Sequence, residues 1–159
     1  MNLESAEFRR ILGHWVTGVS IVTAHPAGRA PCGLTANSFC SVSLEPPLVL
    51  VCVEGVADTH DCIVAAGAFC VNVLDSEHEV LARRFADQDV AEKFRALAYR
   101  TEQTGAPVLE DALAWVDCRV FASYPAGDHT IFVGLVLAGD ARGGTPILYY
   151  RGGYGRFTP

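Results

Sequence analysis

Hydrophobic residues along this chain recur mainly with the two-residue period of β-strands. Residues 19–24, 48–53 and 69–74 are largely apolar runs, which are typical of strands covered on both faces. Residues 114–124 and 129–138 are separated by a turn and predict two long antiparallel neighbours. In the first of these, the residues predicted to face the core are Val116, Cys118, Val120 and Ala122. The pattern therefore predicts a mainly β protein.

Three short helices are predicted at the periphery of these strands. The first has apolar residues at helical spacing, namely Phe8, Ile11, Leu12 and Trp15. Asp58 and Thr59 are residue types that cap helix N-termini, and they predict a helix through residue 66. A capping box at 76–79 predicts another helix through residue 85. Residues 99–107 are polar and turn-rich, so they predict a surface loop.

The segment 33–43 combines a β-like pattern with polar groups where a core strand has none. It follows a predicted hairpin loop at 25–31, so its strand should run antiparallel to the strand at 19–24. Strict alternation would align one face of the segment, comprising Thr35, Asn37, Phe39, Ser41 and Ser43. This row is typical of a half-exposed strand with solvated hydroxyls. It would also suit the wall of a site for a planar, polar ligand with a phosphate, because short side chains allow close approach.

Length and charge narrow the class of protein. The 159 residues are the length of one ordinary domain, with enough chain to bury a core. Twelve Lys and Arg against eighteen Asp and Glu give a net charge of −6 without a basic block, which argues against nucleic acid or an anionic membrane as partner. The longest apolar run has six residues, far fewer than the roughly 20 that span a bilayer. We therefore expect a soluble protein.

The six cysteines contain no Cys-x-x-Cys pair, so a zinc site is not predicted, and no other metal site is expected. They lie mostly in apolar, strand-like runs, where a free thiol packs as a small hydrophobic group. We expect buried, reduced thiols and hence a reducing, cytoplasmic environment.

A series of short motifs follows a characteristic order along the chain. They are CGLTANS at 32–38, CSVS at 40–43, PP at 46–47, FCVNVL at 69–74, LARRFA at 81–86, GDHTIFVG at 127–134 and PILYYRGGY at 146–154. Their order and spacing, from about residue 8 to residue 157, resemble those of the short-chain flavin reductases, the reductase components of two-component flavin-dependent monooxygenases.

This resemblance implies both a fold and an activity. The fold would be mainly β with peripheral helices, an antiparallel split β-barrel that forms a single domain over residues 1–159 and a homodimer with flavin near the subunit interface. The activity would be that of an NAD(P)H:flavin oxidoreductase, which transfers hydride from NADH or NADPH to FMN or FAD and supplies reduced flavin to a partner monooxygenase. An alternative is a module of the same barrel fold that holds flavin tightly as a sensor or oxidase. No Gly-x-Gly-x-x-Gly follows a strand, so a Rossmann site is not predicted.

The resemblance also implies roles for particular residues. Cofactor contacts are expected from Thr35, Ala36, Asn37, Ser38, Ser41, Val42, Ser43, Cys52, Thr59, Lys93, Phe94 and Tyr154. His129 is expected beside the nicotinamide, with Tyr154 as a stacking partner. The flavin carries the chemistry, so no side chain has to act as an acid or base.

Four of these assignments have a simpler alternative in the sequence itself. Thr59 could serve only to cap a helix, and Lys93 could be solvated. His129 could be an ordinary surface histidine, and the glycine-rich tail around Tyr154 could be a surface turn.

Overall fold

Twelve strands and three short helices occupy residues 3–89 and 91–159, which a computed structural model of the chain describes. The helices are α1 (Ser5–Leu12), α2 (Asp58–Ala66) and α3 (Glu79–Ala86). The first six strands are β1 (Thr17–Gly18), β2 (Ser20–Ala24), β3 (Cys32–Ala36), β4 (Cys40–Leu44), β5 (Pro47–Glu54) and β6 (Ala68–Val73). The others are β7 (Tyr99–Thr101), β8 (Pro107–Leu109), β9 (Ala114–Ala126), β10 (His129–Ala141), β11 (Ile147–Tyr150) and β12 (Gly153–Arg156).

Seven of these strands form one antiparallel sheet in the order β3-β2-β6-β9-β10-β5-β4. The predicted hairpin of β2 and β3 and the predicted long pair of β9 and β10 are both confirmed. Strands β1, β11 and β12 form a small separate sheet, and β7 pairs with β8. The three predicted apolar runs correspond to β2, β5 and β6.

The two outermost strands of this sheet, β3 and β4, are consecutive in the chain and only residues 37–39 separate them. Four steps from Ala36 to Cys40 span at most about 14 Å. Seven strands laid flat would separate the outer two by about 29 Å, at about 4.8 Å per neighbour. The sheet must therefore be strongly curled, so that its two edges approach each other.

The side chain of Ser38, in the link between β3 and β4, bonds the backbone of β5. Its Oγ donates a hydrogen bond to the carbonyl oxygen of Cys52 at 3.1 Å and accepts one from the Cys52 N–H at 3.0 Å. The pairing of β4 with β5 extends only to Cys40 opposite Leu50, so Ser38 satisfies the backbone groups of Cys52, where β4 is no longer alongside.

The predicted single polar row along 33–43 is therefore wrong. Thr35 belongs to β3 and pairs with β2, whereas Ser41 and Ser43 belong to β4 and pair with β5 at the other edge. The bend at 37–39 and a register shift between Ser41 and Ser43 break the two-residue alternation that the prediction assumed.

Two principal clusters of buried side chains hold the elements together. One lies against the curled sheet and α2, and includes Val22, Val51, Ile63, Phe69 and Phe132. Of the residues predicted to face inward on β9, Cys118 is fully buried, while Val116 and Val120 pack against this cluster from its margin. The other cluster lies between α3 and the small sheet, and includes Ile21, Leu74, Phe85, Leu109 and Ile147.

The helices begin at different residues from those predicted. Helix α2 has Ala57 at its N-cap, so neither Asp58 nor Thr59 caps it. Helix α3 begins at Glu79 after His78, and the predicted capping box is not formed. The Ser76 hydroxyl instead bonds to the Asp75 carboxylate at 3.3 Å, and Glu79 pairs with Arg83 along the helix.

The apolar residues of the first predicted helix are exposed, and helix α1 itself ends at Leu12, before Trp15. The exposed fractions are 53% for Phe8, 45% for Ile11, 50% for Leu12 and 75% for Trp15. No residue of α1 is buried within this chain. None of the helices in residues 3–89 and 91–159 combines the length and apolar character that crossing a membrane requires.

Two further predictions are corrected by the structure. Residues 99–107 are not a plain loop, because β7 and β8 pair as a hairpin there. The prediction of six buried, reduced cysteines is wrong for four of them. Cys32 and Cys62 are joined by a disulfide, Cys40 is exposed and Cys52 is only partly buried. Cys70 and Cys118 are buried and free as expected. The cytoplasmic location inferred from the cysteines stays a prediction.

Replacing Ser38 by Ala should destabilise the fold, because the N–H and carbonyl of Cys52 would lose their partner. We expect a loss of about 1–3 kcal/mol in the free energy of unfolding, measured by urea denaturation. Ser123→Ala, at an exposed position of β9, is the matched control and should change stability by less than about 0.5 kcal/mol. Equal stability of the two variants would contradict the role assigned to Ser38.

Candidate functional site

A cavity of about 850 Å³ opens where the curled sheet meets α2 and α3. One wall is residues 29–38, which include β3, and another is the end of β5 with the start of α2. The C-terminal end of α3, together with residues 88–89, 91 and 93–94, closes a third side. The volume lies within the range of about 300–1,000 Å³ that is usual for cofactor and small-molecule sites.

Nine of the thirteen residues proposed from the sequence line this cavity. They are Thr35, Ala36, Asn37, Ser38, Cys52, Thr59, Lys93, Phe94 and His129. The structure thus brings together residues from five separate parts of the chain. Their roles toward a ligand stay predictions.

The other four proposed residues lie elsewhere in the chain. Ser41, Val42 and Ser43 are on β4, beyond the bend at 37–39, and do not line the cavity. Tyr154 on β12 packs edge to face on Tyr149. The guanidinium carbon of Arg83 lies over the Tyr154 ring, 4.9 Å from the ring centre. Burial raises the pKa of Tyr154. Within one chain, these four residues are therefore not part of the wall around this cavity.

The hydroxyl groups of the wall are largely engaged in holding the structure together. Thr35 donates from Oγ1 to the carbonyl of Ala82 in α3 at 2.6 Å, and Ser38 is bonded to Cys52. Asn37, by contrast, has an exposed side chain. Of these three polar side chains, Asn37 is the one best placed to bond a ligand.

Lys93 fastens residues 91–94 to the rest of the wall. Its Nζ donates to the carbonyl of Phe85, near the C-terminal end of α3, at 3.1 Å and to that of Gly33 at 3.4 Å. Burial lowers the pKa of Lys93, and the carboxylates of Asp58 and Asp87 oppose this effect. The ammonium group therefore contributes positive charge to the cavity from a fixed position, rather than from a solvated chain end.

Phe94 packs beside Lys93 in a tight aromatic contact. Its ring meets Phe85 edge to face, with ring centres 5.1 Å apart. This arrangement depends on Gly33, because a Cβ there would lie 2.7 Å from Phe85 Cε1 and 3.3 Å from Phe94 Cζ. Gly33 thus allows α3 and the segment around Phe94 to press against β3.

The first turn of α2 lines the cavity and has no side-chain cap. Ala57, Asp58 and Thr59 all line it, and the N-cap Ala57 has no side-chain group that could bond the N–H groups of the first turn. Backbone N–H groups at a helix N-terminus attract anions. The structure thus excludes the simpler reading of Thr59 as the N-cap residue and leaves this turn available to a phosphate.

His129 opens β10, directly opposite Glu54 on β5. Its Nδ1 lies 2.6 Å from Oδ1 of Asp128, and 43% of its side chain is exposed. This hydrogen bond lowers the pKa of Asp128. When Nδ1 donates to the carboxylate, Nε2 remains free for a ligand in the cavity.

Several residues of the cavity were not proposed from the sequence. They include Arg29, Cys32, Glu54, Asp58, Phe85 and Gln88. Arg29 and Cys32 come just before and at the start of the segment already singled out, and Glu54 follows the apolar run of β5. Cys32 and Glu54 were detectable as strand ends, which is where side chains converge on the opening of a curled sheet.

A family model described as "Flavin reductase like domain" matches residues 12–158 of this chain. Among curated proteins, the reductase component of a 4-nitrophenol 4-monooxygenase/4-nitrocatechol 2-monooxygenase from Rhodococcus opacus is 41% identical over 157 residues, covering 99% of this chain and 83% of the relative. The FMN reductase (NADH) SmoA of Agrobacterium fabrum is 42% identical over 155 residues, covering 97% and 87%. The chain spans about half, 48%, of a flavin reductase from Rhizobium meliloti to which it is 40% identical over 151 residues.

A solved structure of a flavin oxidoreductase is also similar to this chain. The NADH:FAD oxidoreductase SgcE6 of Streptomyces globisporus, in complex with NAD and FAD fragments, superposes with a TM-score of 0.92 at 38% identity. The match covers 100% of this chain and 98% of that one. Similarity in sequence and in fold therefore extends over nearly the whole chain.

Replacing Gly33 by Ala should disturb the cavity wall, because the added Cβ overlaps Phe85. We expect a loss of about 1–3 kcal/mol in unfolding free energy, measured by urea denaturation, together with weaker FMN binding in a fluorescence titration. Gly155→Ala is the matched control, since a Cβ there meets no atom within 4 Å. If the two variants were alike in stability and in FMN affinity, the packing role of Gly33 would be wrong.

Proposed function

This chain belongs to the flavin reductase like domain family, and we propose that it is an NAD(P)H:flavin oxidoreductase that reduces FMN or FAD with NADH or NADPH. The observation that carries the proposal is the cavity, in which nine residues expected from the family resemblance meet. The relatives whose names include FMN reductase (NADH) and NADH:FAD oxidoreductase support both flavins and favour NADH as donor.

The residues around the cavity fit a flavin. We assign the phosphate to the first turn of α2, which has no side-chain cap on its backbone N–H groups and carries the Thr59 hydroxyl. Lys93 and Arg29 add positive charge to the same cavity. We assign the ring and ribityl chain to the wall of residues 35–38 and Cys52. Burial raises the pKa of Cys52, so this thiol stays neutral beside the ring.

Bound flavin supplies the chemistry, because its N5 accepts the hydride from the nicotinamide C4. The task of the protein is to orient the two rings and exclude competing reactions. His129, which Asp128 holds at Nδ1, is the proposed contact to the nicotinamide. No residue has to donate or remove a proton in this step.

The proposed product is reduced flavin that leaves for a partner monooxygenase. This proposal rests on the relative from Rhodococcus opacus, which is named as the reductase component of a monooxygenase. The alternative of a module that holds flavin tightly as a sensor or oxidase is not favoured, because the relatives are named as reductases.

We also propose that the curled sheet is a split β-barrel and that two copies of the chain form a homodimer. Apolar side chains are exposed on α1 and on strands β4, β9 and β10, including Leu44, Phe121 and Leu137. A monomer rarely leaves so many large apolar groups in water. Strand β4 also carries Ser41, Val42 and Ser43, so a flavin contact from these residues would come across this interface.

The activity is tested by following oxidation of NADH and of NADPH at 340 nm without flavin, with FMN and with FAD. We expect flavin-dependent turnover in the wild type. His129→Ala should raise the KM for the nicotinamide nucleotide several-fold and leave the flavin Kd nearly unchanged, because the side chain contacts only the donor.

Asn37→Leu tests the contact to the flavin, as His129→Ala tests the contact to the nicotinamide. It should weaken flavin binding in a fluorescence titration while the circular dichroism spectrum stays native, because the exposed amide is removed from the wall. Equal loss of both affinities in His129→Ala, or unchanged flavin affinity in Asn37→Leu, would contradict these assignments. Absence of flavin-dependent turnover in the wild type would contradict the proposed function itself.

The dimer is tested by light scattering of the purified protein, which should give twice the mass of one chain. Ile11→Glu and Phe121→Glu place a charge on the exposed apolar surfaces and should shift the protein toward the monomer. Val80→Glu on α3, where the side chain is 82% exposed, is the control and should remain dimeric. A monomeric wild type would rule out the homodimer.

A further inference from the structure

The disulfide between Cys32 and Cys62 links two elements that line the flavin cavity. Cys32 is the first residue of β3 and Cys62 lies in α2, with Cα atoms 6.3 Å apart. This distance lies within the range of about 4.4–6.8 Å found for disulfides. Cys32 is partly exposed and lines the cavity, whereas Cys62 is fully buried. Neither sulfur is needed for hydride transfer.

This disulfide connects two walls of the site. Strand β3 is an edge strand that is hydrogen-bonded only to β2 within the sheet. Thr59, in the first turn of α2, lies three residues before Cys62 and faces the same cavity. The disulfide therefore joins the wall assigned to the flavin ring with the turn assigned to the phosphate.

We propose that the Cys32–Cys62 disulfide forms and breaks reversibly, and that the oxidised form holds both walls in the arrangement that binds flavin. The proposal rests on the proposed function, because it takes this cavity as the flavin site. It makes flavin affinity, and with it the supply of reduced flavin, depend on the oxidation state of two cysteines.

Hydrogen peroxide is the proposed oxidant, and it arises when released reduced flavin passes two electrons to O₂. The Cys32 thiolate attacks one peroxide oxygen, the O–O bond breaks, and hydroxide leaves and takes up a proton to form water. The Cys62 thiol then attacks the sulfenic sulfur on Cys32, the S–O bond breaks, and a second water leaves. Two thiols lose two electrons and one peroxide becomes two waters. A dithiol reverses the reaction by thiol–disulfide exchange.

Cys32 is assigned as the attacking residue because it is the exposed member of the pair. The Lys93 ammonium bonds the carbonyl of Gly33, the next residue, and brings positive charge to the cavity that Cys32 also lines. Cys62 in the core can react only with its neighbour.

Reduction removes the covalent link between the two walls. Strand β3 is then joined to the rest of the sheet through β2 alone, and the partly exposed Cys32 side chain is free to move into the cavity. We therefore expect the reduced protein to bind FMN roughly three- to tenfold more weakly, since its site is less preorganised.

The test compares wild-type protein treated with hydrogen peroxide and with dithiothreitol. Free thiols are blocked with N-ethylmaleimide in denaturant, and peptide mass mapping identifies any Cys32–Cys62 linkage. FMN affinity is measured on the same samples by fluorescence titration. Cys62→Ala abolishes the disulfide without changing a residue that lines the cavity. Cys118→Ala is the matched control, because Cys62 and Cys118 are both fully buried.

We expect a linked Cys32–Cys62 peptide only after peroxide, tighter FMN binding in that sample, and loss of the difference in Cys62→Ala but not in Cys118→Ala. Alkylation of both cysteines after peroxide would overturn the proposal, and so would a linked peptide with unchanged FMN affinity. The wild-type comparison stands even if Cys62→Ala does not fold. Failure of the proposed function is read separately, as absence of flavin-dependent NADH oxidation in both redox states.

Discussion

The short link at 37–39 is the constraint on which the rest of the structure depends. It joins the two outer strands of a seven-stranded sheet, so the sheet has to curl until those strands approach each other. Ser38 then bonds the backbone of Cys52, and beyond that point β5 and β3 are not hydrogen-bonded to each other. The cavity lies in the gap that follows, between β3 and the start of α2.

The polar groups of the site act mainly by fixing the wall. Thr35 ties β3 to α3, Ser38 ties the link to β5, and Lys93 ties residues 91–94 to β3 and α3. Hydride transfer between two bound rings depends on their relative position more than on acid or base groups. A wall held by side-chain bonds from several elements is the type of structure that such a reaction requires.

The sequence allowed the strands to be predicted where burial dominates, as in β2, β5 and β6. It failed at 33–43, because alternation indicates the face of a residue only while the strand continues, and the bend at 37–39 leaves no mark in hydrophobicity. It also failed at Ser76, where the Asp75 carboxylate competes for the hydroxyl. The site residues came from motif order, because periodicity alone could not distinguish a structural hydroxyl such as that of Thr35 from a ligand contact.

The charges around the cavity bear on how firmly a flavin is held. Lys93 and Arg29 favour a phosphate, yet Asp58 stands in the same helical turn as Thr59, and Glu54 and Asp89 also line the cavity. A carboxylate near the phosphate offsets part of the attraction from the helix N-terminus. In the proposed assignment, the site combines a rigid wall for the ring with a mixed charge that limits affinity for the phosphate. This combination suits a flavin that binds, is reduced and leaves better than one that stays bound.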